Sequence, residues 1–146
     1  MMIRPFNLAD MDQVLQVWLD ASVLAHDFVD GEFWASRIED MRHIYLPLSE
    51  IYVYEENGII QGFLSLQDDT LAALFIRPEY QGRGIGFQLM EMAKEERERL
   101  DLAVYKCNWR SVDFYERCGF QPVREQTDQH TGQTEVVMTW YLEQAA

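Results

Sequence analysis

Cysteine is scarce in this chain: only Cys107 and Cys118 occur. Their separation is neither the CxxC spacing of a metal or redox site nor a disulfide framework, so free thiols in a reducing compartment are expected. Pro- or Ser-rich linkers, low-complexity tracts and internal repeats are also missing, which leaves no boundary inside 1–146 and predicts a single domain. The longest apolar runs, "LAALFI" and "VVMTWYL", fall far short of the ~20 residues of a membrane-spanning helix. The opening "MMIRPFNLAD" has no apolar stretch before a small-residue cleavage site, so a cytoplasmic protein with no membrane partner is expected. Positive charge is the last scarcity. Twelve Lys and Arg face 25 Asp and Glu, a formal net charge of −13. Such a field repels nucleic acid and attracts a cationic partner such as an amine or a basic peptide, although acidity also serves solubility alone.

What is present is a pattern of alternating short elements. Ile3 to Phe6 reads as a first strand, and Asn7 as an N-cap with the Asp10 carboxylate reaching back into the first turn. Leu8, Met11, Val14, Leu15, Trp18, Leu19 and Ser22 recur at helical spacing and predict one buried face. A second helical region is expected from about Glu32 to Tyr45, ending before Pro47. "EIYVYEE" and "IIQGFLSLQ" flank Asn57-Gly58, a hairpin signal, and "TLAALFI" forms the next strand. Ile85, Leu89, Met92, Ala93 and Leu100 predict a further helix, "LAVYKC" a strand, and "SVDFYERC" a short helix closed by Gly119. Strands at about Gln121–Thr127 and Thr134–Tyr141 complete the order. Consecutive strands in the middle favour antiparallel pairing, and the strand–helix–strand unit after Gly84 favours one parallel pairing, hence a mixed sheet with helices on both faces.

The stretch "PEYQGRGIGFQLM" places Gly82, Gly84 and Gly86 where a helix begins. Glycine weakens a helix by ~1 kcal/mol relative to alanine, so its use here calls for a reason. A P-loop needs Lys followed by Ser or Thr after its last glycine, and Phe87-Gln88 stand there instead; a GxGxxG dinucleotide fingerprint needs glycine where Phe87 lies. What remains is a turn without Cβ atoms before a helix N-terminus, whose first N–H groups lack internal partners and attract anions. A pyrophosphate fits such a nest, with Arg83 at its rim.

Two segments, "LFIRPEYQGRGIG" and "NWRSVDFYERCGF", resemble the Gcn5-related N-acetyltransferase superfamily, of the small stand-alone bacterial type. The first resembles its Q/R-x-x-G-x-G/A motif through Gln81, Gly84 and Gly86. The second resembles its Asn-x-x-(A/S)-x-x-(F/L)-Tyr-x-x-x-Gly-Phe segment through Asn108, Ser111, Phe114, Tyr115, Gly119 and Phe120. The resemblance implies an α/β (α+β) fold, a mixed and mostly antiparallel sheet of about seven strands with about four helices, splayed between strands 4 and 5. It also implies acetyl-CoA as cosubstrate, with no metal. The backbone of Leu74, Phe75 and Ile76 would meet the pantetheine arm and the developing oxyanion, the oxyanion donor being Phe75 or Leu74. The segment Gln81, Gly82, Arg83, Gly84, Ile85, Gly86 and Phe87 would hold the pyrophosphate, and Asn108 the pantetheine arm. Tyr115 would protonate the departing thiolate.

The position where lysine-acetylating relatives carry a glutamate on the fourth strand is Thr70, so the base is unassigned. His26, Phe28 and Trp34, in "LAHDFVDGEFW", are expected to wall the acceptor pocket. The expected reaction is direct transfer to a primary amine, on a small molecule or a peptide, by a monomer or homodimer; a relay through Cys107 or Cys118 ranks low. The alternative is a non-catalytic acyl-CoA-binding module on the same fold.

Overall fold

A computed structural model describes residues 2–142. One seven-stranded sheet runs in the order β1-β2-β3-β4-β5-β7-β6. The strands are β1 (Met2–Pro5), β2 (Glu50–Glu56), β3 (Ile59–Gln67), β4 (Thr70–Ile76), β5 (Arg99–Tyr105), β6 (Gln121–Thr127) and β7 (Thr134–Tyr141). Every neighbouring pair is antiparallel except β4 with β5. The helices are α1 (Met11–Ala25), α2 (Gly31–Ser36), α3 (Ile38–Asp40), α4 (Ile85–Glu96) and α5 (Trp109–Arg117).

Each face of the sheet buries its own core. On one face α4 and α5 cover Leu64, Leu66, Leu100, Leu102, Met138 and Trp140. On the other, α1 and α2 cover Ile51, Val53, Ile60, Phe63 and Ala73. Central strand β3 is therefore buried along nearly its whole length, as a strand covered on both sides must be. The hairpin turns follow their chemistry: Asn57 and Gly58 both adopt positive φ between β2 and β3, as does Asp68 between β3 and β4.

Several local expectations hold. The Asn7 N–H donates to Asp10 Oδ2 at 2.9 Å, and Arg4 grips the same carboxylate at 2.8 Å while also reaching Glu55. This ties β1, the helix cap and β2 together and holds the Asp10 carboxyl below its ordinary range. Gly119 closes α5 at φ 96°. Others are corrected. Leu8 is 82% exposed because a 3-10 turn, Leu8–Asp10, precedes α1 and moves it off the helix face; Val17 and Ala21 fill the buried stripe instead. The second helical region is broken into α2, α3 and a π-turn at Met41–Tyr45. Leu100 belongs to β5 rather than to the preceding helix, which ends at Glu96.

Leu89 on α4 is fully buried. Leu89→Ala is expected to cost about 2–5 kcal/mol of unfolding free energy, read by urea denaturation, since it deletes packing and leaves a cavity. A loss under ~1 kcal/mol would show that α4 is not anchored this way.

Candidate active site

Strands β4 and β5 are bridged at a single register position, Thr70 opposite Asp101. Beyond it they diverge, and a cavity of about 180 Å³ opens between them. Leu71 to Phe75 line one side and Leu102 to Tyr105 the other, with Asn108 and Tyr115 along the α5 side. Ala72, Ala73 and Ala103 contribute almost no side chain, which keeps the wedge open. The β4 edge is consequently unpaired there. Arg77 donates its N–H to the Gln61 carbonyl on β3 at 2.8 Å. Alternation along an antiparallel strand then turns the Phe75 peptide groups toward β3 and those of Leu74 and Ile76 toward the gap. Of the two residues considered for the oxyanion donor, Leu74 has the suitable N–H direction.

The glycine corner lies at the end of β4. Gly82 and Gly84 have φ of 79° and 82°, and a Cβ added to either would meet nothing within 4 Å. Gly84 precedes α4, no side chain caps the helix, and the first helical bond is Gln88 N–H to the Gly84 carbonyl at 3.1 Å. The N–H groups of Ile85, Gly86 and Phe87 are left without helical partners. Gly86 faces elsewhere: an added Cβ would lie in ordinary contact with Phe114 Cζ at 3.5 Å, toward α5 rather than the open corner. Gln81 Nε2 donates to the Ile76 carbonyl at 3.1 Å and ties the loop to the strand end, while the exposed Arg83 guanidinium lies 5.3 Å from the Tyr80 ring centre. Bare amides, a positive helix end and open space fit a diphosphate ester.

Asn108 starts α5 and Tyr115 follows two turns later, so both lie on one face and line the gap. The Tyr115 ring is buried between Phe114 and Phe120, and burial pushes its hydroxyl well above the ordinary phenol range. Asn108 is more engaged than its sequence role implied. Its Oδ1 accepts the Ser111 N–H at 3.4 Å, which turns Nδ2 toward His26 Nε2 at 3.3 Å. The His26 lone pair is thus at Nε2 and its proton at Nδ1, a buried atom with no partner among the described residues. His26 packs against Trp34 and Tyr105 with ring centres at 4.9 and 5.1 Å. Phe28 stands behind His26 and Tyr105 rather than on the cavity wall.

A larger cavity, about 440 Å³, opens on the α1–α2 face. It shares Trp34, Ala72, Ala73, Phe75, Tyr105 and Glu135 with the gap, so the two cavities adjoin along these residues. Asp128 lies on its wall and accepts from the Tyr105 hydroxyl. Tyr105, Asp128 and Glu135 were missed as site residues from sequence. They converge only through the pairing of β5 with β7, which sets Tyr105 opposite Glu135, and no local motif signals that pairing. Cys107 is exposed and Cys118 buried, and neither lines either cavity. Among the described residues no cluster of His, Cys, Asp and Glu could hold a metal, and no helix is long and apolar enough to cross a membrane.

Burial lowers the His26 pKa from 6.5 to about 4. The unfolded chain therefore binds a proton that the native state refuses between these values, and native stability falls as pH drops through that window. An NMR titration of the His26 ring is expected to show a midpoint near pH 4. A midpoint near 6.5 would mean that the ring is solvated and the aromatic wall open.

The family model "Acetyltransferase (GNAT) domain" matches residues 47–122. Peptidyl-lysine N-acetyltransferase YiaC of Escherichia coli is 31% identical over 140 residues, covering 95% of this chain and 96% of that protein. Apo YjaB, also of Escherichia coli, superposes with a TM-score of 0.84 at 25% identity, over 95% of this chain and 96% of that one. The PaiA N-acetyltransferase of Thermoplasma acidophilum, solved with coenzyme A, shares the fold with a TM-score of 0.80 at 19% identity, over 96% and 98% of the two chains. The splayed sheet, the bare helix start and these matches agree: the chain is a member of the Gcn5-related N-acetyltransferase family and an acyltransferase.

Proposed function

We propose that residues 1–146 act as one N-acetyltransferase domain that moves an acetyl group directly from acetyl-CoA to a primary amine, with the side chain of a peptidyl lysine as the preferred acceptor. The observation that carries this reading is the cavity between the diverging strands β4 and β5, lined by Leu74, Asn108 and Tyr115, on a sheet whose strand β4 leads into the uncapped start of α4. The relatives named for peptidyl-lysine acetylation support the choice of acceptor, and the acidic charge of the chain is compatible with a cationic one.

The amides of Ile85 and Phe87, with the open loop at Gly82 and Gly84, would hold the diphosphate, and Arg83 would add a cation at the rim. Leu74 and Ile76 would pair with the amide-bearing arm as an added strand pairs with a free sheet edge. The remaining Nδ2 hydrogen of Asn108 would reach the same arm. The Leu74 N–H would stabilise the oxyanion that develops as the amine attacks. Tyr115 would give its proton to the leaving sulfur. Its raised pKa keeps it protonated across the physiological range, as a proton donor must be before the sulfur departs.

Tyr115→Phe is expected to lower kcat by ~10²-fold or more with little change in acetyl-CoA affinity, measured by CoA release and by calorimetry. Wild-type turnover in that variant would remove Tyr115 from the chemistry. Gly84→Val is expected to abolish detectable acetyl-CoA binding in a folded protein, because a β-branched side chain both fills the open corner and resists φ near 82°. Retained affinity would place the diphosphate elsewhere. Binding of acetyl-CoA without transfer to any amine would favour the non-catalytic module.

A further inference from the structure

The proton that must leave a lysine before it can attack has no acceptor on β4, where Thr70 stands. A free lysine amine at pKa ~10.4 is almost wholly charged near pH 7, so some group must take that proton. We propose that Glu135, on β7, receives the acceptor's ammonium and takes its proton; this rests on the N-acetyltransferase reading above.

The groups that face Glu135 leave it as the free carboxylate at the junction of the two cavities. In the gap, His26 already accepts from Asn108 through Nε2. The Tyr105 hydroxyl donates to Asp128, and Tyr115 serves the leaving sulfur. In the larger cavity Asp128 is engaged at both oxygens: Oδ1 accepts the His130 N–H at 3.0 Å, and Oδ2 accepts the hydroxyls of Tyr105 and Thr131. Arg37 is paired with Asp40 at 3.1 Å, and His130 is exposed at the cavity mouth. Glu135 differs from all of these. Its Oε1 accepts from Gln126 Nε2 at 3.0 Å, which orients the carboxylate, while Oε2 has no hydrogen bond among the described residues. It is half-buried and lines both cavities.

The surrounding wall suits an alkylammonium. Trp34 and Tyr105 present aromatic rings beside the junction, and a cation near such a face gains ~0.5–2 kcal/mol. The proton passes from the amine nitrogen to Glu135 Oε2, and the freed lone pair forms the C–N bond. The C–S bond breaks with its electron pair on sulfur, which takes the Tyr115 proton. The second nitrogen proton then returns to the Tyr115 oxygen, and Glu135 releases its own to solvent, for a net release of one proton.

The test compares Glu135→Gln with wild type on two acceptors near pH 7: a pool of N-terminally blocked lysine peptides, charged there, and hydroxylamine, which is largely neutral. The expected loss in kcat/KM is ~10²-fold for the peptides and at least ~10-fold smaller for hydroxylamine. Raising the pH toward ~10 should narrow the peptide deficit as free amine accumulates. Acetyl-CoA affinity and the melting temperature serve as controls and should stay near wild type. Equal losses on both acceptors, or no loss on the peptides, would overturn the role of Glu135 while leaving the transferase reading intact. A wild-type protein that acetylates neither acceptor would overturn both.

Discussion

Everything at the candidate site follows from one broken pairing. Parallel strands β4 and β5 share one bridge, at Thr70 and Asp101, and then separate. A separated sheet leaves unsatisfied peptide groups along an inner edge, which cost free energy unless solvent or a ligand meets them. The flanking structure makes that opening permanent. β3 is buried on both faces and holds β4, while the seven-residue β5–β7 ladder holds β5. Alanines at 72, 73 and 103 decline to fill the space.

Two electrostatically different places lie near this opening. At one lies the uncapped start of α4, with amides facing open space and no Cβ at Gly82 or Gly84. At the other lies an aromatic chamber bordered by the Asp128 and Glu135 carboxylates. On the proposed reading an anionic diphosphate would sit at the first and a cationic amine at the second, and the gap beside β4 is where their reactive atoms would meet. Direct transfer needs this arrangement, because proximity and orientation replace a covalent enzyme intermediate. The placement of both cysteines outside the cavities agrees with it.

Local chemistry in the sequence made much of this legible. Asn57-Gly58 marked its hairpin, Gly119 its helix end, and the glycines before α4 the corner now seen open. Periodicity was less reliable where geometry changed within a run. Leu8 kept the helical spacing but fell in a 3-10 turn, and Leu100 continued the α4 pattern from within a strand. The roles of individual glycines were also hidden, since only packing separates Gly86, which meets Phe114, from the open Gly84. The chamber was the least visible part. Tyr105 lies just before the second motif without being part of it, Asp128 and Glu135 lie beyond it, and strand pairing brings the three together.

The central claim is that the opened edge of β4 and the start of α4 together form a coenzyme site. An amide NMR titration with coenzyme A tests it most directly. The account predicts saturable shifts at Leu74, Ile76 and Gly82 to Phe87, with the amides of edge strand β6 unmoved. Saturable binding that leaves Gly82 to Phe87 unshifted would contradict it.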